Sequence, residues 1–184
     1  MVEMIEFFAS LEAGRDVLQI VPVNIAAMLD VVVAGRVAAA HHTITLRVRR
    51  GTPDVLADVE WLKRAVDELI DNAIKFSPAG ATVKVTAEAG EDGGRRVVLV
   101  AVADRGSGMS PEQVEAAFDE FTQGDESDTR AFGGLGLGLP LARRVAELLG
   151  GRVTCKTAVG EGSKFSILLP LRPSDARRRP RSGR

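Results

Sequence analysis

The chain has 184 residues, enough for one sizeable domain and hardly for two. Its 24 basic and 25 acidic residues nearly balance, so the composition indicates no general affinity for polyanions, and one Trp with no Tyr argues against a base-stacking nucleic-acid surface. A single cysteine, Cys155, excludes an internal disulfide, and no stretch has the length and apolarity of a transmembrane helix or a signal peptide. We therefore expect a soluble, cytosolic-type domain that contacts neither nucleic acid nor membrane.

The first forty residues predict two helices joined by an extended segment. Residues 1–12 place apolar side chains at helical spacing, and Gly14 ends that pattern. Pro22 indicates an extended linker, after which Asn24 is a suitable N-cap for an apolar helix over residues 25–40. A short isolated helix is marginally stable, so the first helix must pack on another element.

A strand is predicted over residues 43–48, where apolar and polar residues alternate. His41 and His42 stand just before this strand. Adjacent histidines can bind a metal ion, but no further ligand lies nearby in the sequence. We interpret the pair as solvated surface.

The stretch from Asp58 to Pro78 predicts a helix with two distinct stripes, capped by Asp58 and ended by Ser77 and Pro78. One stripe is apolar and consists of Leu62, Val66, Leu69 and Ala73. The other carries a carboxylate, an amide and an ammonium group, on Glu68, Asn72 and Lys75. A carboxylate and an amide one turn apart can hold a hydrated Mg²⁺, and an ammonium group one turn further can contact phosphate. An ordinary solvated face is the alternative, and this helix alone does not decide between them.

An antiparallel hairpin is predicted next, from strands over residues 81–88 and 96–103. The second strand is almost continuously apolar, which is typical of a central strand, and it ends at Asp104. Gly106 and Gly108 follow, and their missing side chains would let the backbone approach a flat ligand. Asp104 could accept a hydrogen bond from an exocyclic amine such as that of adenine, although a simple turn is the alternative.

A short helix is predicted over residues 112–117, with Ser110 and Pro111 as its N-cap and first turn. Phe118 and Phe121 follow, and we expect both to pack on the rim of the domain. Residues 122–130 are polar and predict a mobile loop.

The glycine-rich segment 133–139 leads into a helix with apolar residues at helical spacing. Such a loop can bind a phosphate, because the free N–H groups and the dipole of the helix N-terminus face the anion. It is neither a Walker motif nor a dinucleotide fingerprint, since no Gly-Lys-Ser/Thr follows and Leu139 occupies the position of the last glycine.

Two strands close the pattern, over residues 152–156 and 164–169. Cys155 lies in the first of them, and we expect its thiol to be buried and inert. The Arg- and Pro-rich residues 172–184 predict a disordered tail.

Five motifs in this order resemble the catalytic ATP-binding domain of sensor histidine kinases, within the wider family of gyrase, the large heat-shock chaperone and MutL. The motifs are Glu68-x-x-x-Asn72, Asp104-x-Gly106-x-Gly108, Phe118-x-x-Phe121, Gly134-x-Gly136-x-Gly138 and Gly160-x-Gly162-Ser163-x-Phe165. The resemblance implies a Bergerat-type fold, an α/β (α+β) two-layer sandwich with a mixed, largely antiparallel sheet and helices on one face. It implies an ATP-binding domain over residues 15–171, preceded at 1–14 by a remnant of the second dimerisation helix.

The resemblance also implies two ligands, ATP and Mg²⁺, and roles for single residues. Asn72 would ligate Mg²⁺ between the ATP phosphates, and Lys75 would contact a phosphate. Asp104 would bind the adenine amine, with Ser163 supporting it through water and Gly106 and Gly108 lining the base pocket. The lid would present backbone N–H groups to the phosphates and would be bordered by two aromatic rings. The lid residues are Gly134, Leu135, Gly136, Leu137 and Gly138, and the rings are Phe118 and Phe121.

Two positions depart from the pattern that the resemblance implies. Many sensor kinases have Asn where Glu68 stands, and Glu is usual in the ATP-hydrolysing relatives. Glu68 could therefore be a catalytic general base, or it could only position the water shell of the metal. Leu135 stands where Thr or Ser is frequent, so one side-chain contact to phosphate would be missing.

The implied function is that of a protein-histidine kinase in a two-component phosphorelay. The γ-phosphoryl group would pass to a histidine of the dimerisation domain and then to the receiver domain of a response regulator. His41-His42-Thr43 does not match an acceptor site, so we expect the acceptor histidine to lie outside this chain. The implied location is cytoplasmic, and any membrane anchor would belong to the parent kinase. The alternative, favoured by Glu68, is an ATPase or anti-sigma-factor-like module whose binding to a protein is gated by nucleotide.

Overall fold

The computed structural model describes residues 18–37, 42–119 and 137–171, together with the isolated positions Glu6 and Ala9. The predictions for the N-terminal helix, His41, Phe121, the 122–130 loop, the lid residues Gly134, Leu135 and Gly136, and the tail lie outside these ranges. The elements in chain order are β1 (Val21–Val23), α1 (Ile25–Val37), β2 (Thr43–Val48), β3 (Val55–Ala57), α2 (Val59–Phe76), β4 (Thr82–Asp92), β5 (Arg95–Ala103), α3 (Pro111–Ala117), α4 (Gly138–Leu148), β6 (Arg152–Ala158) and β7 (Gly162–Pro170).

Five strands form the main sheet, in the order β2-β4-β5-β7-β6. β2 pairs with β4 in parallel, and the other three neighbouring pairs are antiparallel. The predicted hairpin is β4–β5, with both strands longer than the sequence pattern indicated. The mixed, largely antiparallel sheet is therefore confirmed.

The core lies between one face of this sheet and the helices. Alternate residues of β4, β5 and β7 are buried there against the apolar stripe of α2, whose four predicted members are all buried. Each larger aliphatic side chain contributes about 1.5–3 kcal/mol by leaving water. The α/β two-layer architecture with helices on one face is confirmed, and among the described helices none is long and apolar enough to cross a bilayer.

The segment around Pro22 was wrongly predicted to be a linker. β1 pairs antiparallel with β3, and Pro22 stands opposite Leu56 in a separate two-stranded sheet. Proline has no N–H to donate to the ladder and is therefore confined largely to edge strands, and each strand of a two-stranded sheet is an edge. Asn24 caps α1 as predicted, since its Oδ1 accepts the N–H of Ala27 at 2.9 Å.

The interpretation of His42 as solvated surface is also wrong. Both ring nitrogens are buried, and neither has a hydrogen-bond partner among the described residues. The backbone of the next residue already joins the sheet, because Thr43 N–H donates to the Ala81 carbonyl at 3.2 Å. This pairing holds the chain against β4 at the point where the sequence indicated open surface.

A charged cluster fixes α1 against α2. The Arg36 guanidinium donates to both carboxylate oxygens of Asp67 and to Asp71, with each N–O distance 2.6 Å. The pKa of Arg36 is raised above its usual high value, and the hydrogen bonds to Asp67 are the main cause. Because Asp67 and Asp71 directly precede Glu68 and Asn72, this cluster also positions the polar stripe of α2.

Candidate nucleotide-binding site

Three polar side chains close one end of the main sheet. Asp104 directly follows β5, while Ser163 of β7 stands opposite Thr157 of β6. The next row inward, by the strand register, is formed by Val102, Phe165 and Cys155. On the sheet face that the helices cover, the side chains therefore change from apolar to polar between this inner row and the row of Asp104, Ser163 and Thr157. Burial, and next the charge of Asp104, raises the pKa of the Cys155 thiol to about 11, as expected for an inert cysteine.

The Asp104 carboxylate is held by backbone groups on one of its two oxygens. Its Oδ1 accepts the N–H of Gly106 at 2.7 Å and the N–H of Ser163 at 3.1 Å. Its Oδ2 accepts no hydrogen bond from the described residues. Burial raises the pKa of Asp104 above its usual range, and the two N–H donors oppose that shift. The turn that we considered as the alternative does follow β5. It leaves the Asp104 Oδ2, which is fixed in position, as an acceptor for a ligand.

The glycines of this turn make room for protein backbone. A Cβ at Gly106 would collide with the Phe76 carbonyl, and one at Gly108 would collide with the Ala158 carbonyl. Gly108 also has φ +65°, a conformation that other residues adopt only with strain. The contact with Phe76 joins the Asp104 turn to the end of α2. The room that we expected these glycines to leave for a flat ligand is, on these sides, taken by carbonyl groups.

Thr157 connects three parts of this end of the sheet. Its Oγ1 accepts the N–H of Met109 at 3.0 Å, donates to the Gly162 carbonyl at 2.9 Å and lies 3.0 Å from the Ser163 Oγ. We did not identify Thr157 from the sequence. The signal that could have found it is the tight turn over residues 159–161, which sets a Thr opposite a Ser across two strands.

The second half of the site lies on α2, which begins as predicted with Asp58 accepting the N–H groups of Glu60 and Trp61. Glu68 is largely buried, with 17% of its side chain exposed, and its Oε1 lies 3.1 Å from the Arg64 Nε. Burial raises the pKa of Glu68, and the positive charge of Arg64 opposes this. Glu68 is therefore a partly desolvated carboxylate that forms an ion pair with a cation on its own helix.

The N-terminus of α4 lies directly against Glu68. A Cβ at Gly138, the first residue of α4, would stand 2.6 Å from the Glu68 Oε2. The side chain of Leu137 is buried, so only its backbone could face a ligand. The first N–H groups of a helix have no partner within the helix, and those of α4 begin beside this carboxylate.

Asn72 and Lys75 are half-buried and form neither a hydrogen bond nor an ion pair with the described residues. The Lys75 ammonium lies 5.1 Å from the centre of the Phe76 ring. Phe118 packs edge-on against Phe165, with ring centres 6.1 Å apart, which places it at the rim of the core as predicted.

The donor set on α2 suits a hard divalent cation. Glu68 and Asn72 supply a carboxylate and a carboxamide oxygen one turn apart, and oxygen ligands are those that Mg²⁺ prefers. Across residues 18–37, 42–119 and 137–171, three or more acidic, His or Cys residues nowhere converge on a possible metal position. Mg²⁺ that is bound through phosphates needs only one or two protein ligands, so these residues fit that mode of binding.

Comparison with known proteins gives a consistent family. The family model described as "Histidine kinase-, DNA gyrase B-, and HSP90-like ATPase" matches residues 57–173. The sensor protein GacS of Pseudomonas syringae pv. syringae is 35% identical over 168 residues, which cover 89% of this chain and 18% of GacS. The chain thus spans less than a fifth of the length of this curated relative.

Two solved structures share the fold. The mycobacterial sensor histidine kinase MprB aligns with a TM-score of 0.69 and 27% identity, covering 85% of this chain and all of that chain. Full-length ShkA in complex with AMPPNP aligns with a TM-score of 0.76 and 31% identity, covering 94% of this chain and 35% of that chain. The chain therefore belongs to the histidine kinase-, DNA gyrase B- and HSP90-like ATPase family, as an ATPase domain of the sensor-histidine-kinase type.

Proposed function

We propose that this chain is the ATP-binding catalytic domain of a two-component sensor histidine kinase, with the domain extending over residues 15–171. It supplies the γ-phosphoryl group of ATP to a histidine on a dimerisation domain, and a response-regulator receiver domain then accepts the group. The similarity to GacS and MprB supports this reaction, and the AMPPNP complex of ShkA supports the nucleotide. A cytoplasmic location is part of the same proposal.

The observation that carries the proposal is the connection between the two halves of the site. The free Oδ2 of Asp104 suits the exocyclic amine of adenine, and Gly106 links this turn to the end of α2. The same helix carries the groups that suit phosphates, on Glu68, Asn72 and Lys75. The single helix α2 therefore connects the end of the site that would bind the base with the end that would bind the phosphates.

The polar residues have different roles in this proposal. Asp104 orients the base, Lys75 neutralises phosphate charge, and the N–H groups at the start of α4 contact phosphate oxygens. Asn72, with Glu68 beside it, would hold Mg²⁺, which supplies charge neutralisation on the phosphates when bound. Glu68, whose pKa is raised by burial, would accept a proton from the attacking group. The lid residues Gly134, Leu135 and Gly136, together with Phe121, remain predicted contacts.

Binding calorimetry with Mg²⁺ and AMPPNP tests the proposal. We expect the wild-type chain to bind, and Asp104→Asn to weaken binding about 10- to 100-fold, since its amide places a donor against the adenine amine. Asp92→Asn is the matched control, because Asp92 is paired with Arg152 at the far end of the β4–β5 hairpin. Absence of binding by the wild-type chain would contradict the proposal. Transfer of radiolabelled γ-phosphate to a supplied dimerisation domain tests the kinase reaction.

Glu68 favours a second candidate, a nucleotide-gated ATPase or anti-sigma-factor-like binding module. A buried carboxylate beside the phosphates could activate water as well as a histidine. Steady hydrolysis of ATP that Glu68→Gln abolishes, with no phosphohistidine formed on a supplied acceptor domain, would favour this candidate.

A further inference from the structure

The hydroxyl of Thr157 forms three contacts but has only one hydrogen. It lies 3.0 Å from the Met109 nitrogen, 2.9 Å from the Gly162 carbonyl oxygen and 3.0 Å from the Ser163 Oγ. Met109 N–H can only donate, and the Gly162 carbonyl can only accept. The hydroxyl hydrogen of Thr157 is therefore donated to the Gly162 carbonyl oxygen.

This assignment determines the direction of the remaining contact. With its hydrogen used, the Thr157 Oγ1 can only accept from Ser163, so the Ser163 hydroxyl donates to it. This is the one arrangement of hydrogens in which all three contacts are hydrogen bonds. The Ser163 Oγ then offers lone pairs alone to any other group.

Ser163 and Asp104 together form the polar end of the base pocket. Ser163 N–H donates to the Asp104 Oδ1, and Asp104 N–H donates to the Ser163 carbonyl at 2.9 Å, so the two residues are adjacent. The free Asp104 Oδ2 is an acceptor, and the Ser163 Oγ is made one by Thr157. A water that donates one hydrogen to the Asp104 Oδ2 and the other to the Ser163 Oγ would have only lone pairs left for a ligand. A ligand held through this water would therefore also have to donate a hydrogen.

We propose that Thr157 is a positioning residue for base selection, which holds Ser163 as an acceptor so that the pocket admits 6-amino purines and rejects 6-oxo purines. This inference rests on the proposed ATP-binding function. A 6-amino group can donate hydrogens to the Asp104 Oδ2 and the Ser163 Oγ. A 6-oxo oxygen is itself an acceptor, so it would face these two oxygens with no hydrogen to share. Without the Thr157 hydroxyl, the Ser163 hydrogen can rotate toward a 6-oxo group and donate to it.

Calorimetry with Mg²⁺ and the imidodiphosphate analogues of ATP and inosine triphosphate tests the inference, at pH 8 so that Asp104 is ionised. The inosine analogue differs at the six-position and in the proton on N1. We expect Thr157→Val to reduce the preference for the adenine analogue about five- to tenfold, and Thr157→Ser to retain the wild-type preference. A purely structural role for Thr157 would weaken both ligands equally and leave their ratio unchanged, which would overturn the inference.

Ser163→Ala supplies a second and independent readout. Because it removes an acceptor, it should also lower the preference for the adenine analogue, and adding Thr157→Val to it should change the ratio no further. A rise in that preference would mean that Ser163 donates to the ligand, and would overturn the inference even if Thr157→Val fails to fold. If the wild-type chain binds neither analogue, the proposed function fails; if it binds ATP but the ratio does not respond to these variants, only the inference fails.

Discussion

The two ends of the candidate site are constructed in different ways. At the base end, the functional groups are bonded to backbone: Asp104 to Gly106 and Ser163, and Thr157 to Met109 and Gly162. At the phosphate end, the groups project from helices, and Asn72 and Lys75 form no hydrogen bond or ion pair with the described residues. Glu68 forms an ion pair with Arg64 and has a close contact with Gly138.

The two ends of the site therefore differ in how firmly their side chains are held before a ligand binds. A group bonded to backbone keeps its position before a ligand arrives, so little conformational entropy is lost when the base binds. Side chains that have no hydrogen-bond or ion-pair partner among the described residues are available to phosphates and a cation, whose charges are better able to order them. We therefore expect the base end to provide selection and the phosphate end to adapt to the charged part of the ligand.

The largest expected effect comes from disturbing the backbone contacts of the base end. Gly108→Ala adds a methyl group against the Ala158 carbonyl at a residue with φ +65°. We expect a loss of about 3–5 kcal/mol from the combined strain and overpacking, measured by urea denaturation. Gly160→Ala is the control, because Gly160 has φ +82° and open space around its Cα, and it should cost about 1–2 kcal/mol. Equal losses for the two variants would mean that the close contact is unimportant.

At the phosphate end, Glu68→Gln should separate binding from chemistry. We expect phosphoryl transfer or hydrolysis to fall roughly 10²–10³-fold while AMPPNP affinity changes little, because the amide cannot accept a proton. Glu60→Gln on the same helix is the control, since Glu60 is exposed and pairs with Lys63. Unchanged turnover in Glu68→Gln would exclude the role of base.

The same variant should alter the dependence of stability on pH. Burial raises the pKa of Glu68 in the folded chain, so the ionised form is unfavourable there and its contribution to stability is lost as pH rises through that pKa. Relative to wild type, Glu68→Gln should therefore gain thermal stability as pH increases through this range. Thermal denaturation at a series of pH values measures the gain.

Affinity for the base should also depend on pH through Asp104. Its pKa is raised by burial, so we expect AMPPNP affinity to fall about tenfold per pH unit below that pKa, starting at a higher pH than for an exposed Asp of pKa about 3.9. Protonation places a donor against the adenine amine. The nucleotide phosphates titrate too, so the measured quantity is the difference between wild type and Asp104→Asn, which removes the Asp104 contribution alone. Parallel pH profiles would contradict this prediction.

Local patterns predicted much of this architecture because they depend on neighbours in the chain. The α2 stripe, the Asp58 and Ser110 caps and the β4–β5 hairpin follow from periodicity and capping chemistry, and all are present. The short strand at Pro22 was missed because its partner, β3, lies more than thirty residues further on. His42 was misinterpreted for a similar reason, since its ring nitrogens are buried and the adjacent Thr43 pairs with Ala81, a residue far along the chain.

The candidate site shows the same limit. Asp104 and Asn72 could be proposed from motifs, but the contact of Gly138 with Glu68 joins residues seventy positions apart in the sequence. Thr157 carries no motif of its own, and its importance arises from contacts with two other segments, at Met109 and at Gly162 and Ser163 of β7. Residue type indicated which chemistry the chain can perform, whereas tertiary packing decided which groups hold one another in place.

The smallest expected effect, and the most direct test of how the phosphate end is held, comes from Gly138→Ala. The added methyl would stand 2.6 Å from the Glu68 Oε2, the end of a flexible side chain that can move aside. We expect the free energy of unfolding to change by less than about 1 kcal/mol, because alanine also favours the helix, while turnover falls roughly five- to tenfold as Glu68 leaves its position. Gly35→Ala in α1, where a methyl meets nothing within 4 Å, should stabilise the chain slightly and leave turnover unchanged. If Gly138→Ala kept full turnover, the contact between α4 and Glu68 would be packing alone, and the position of Glu68 would depend on Arg64.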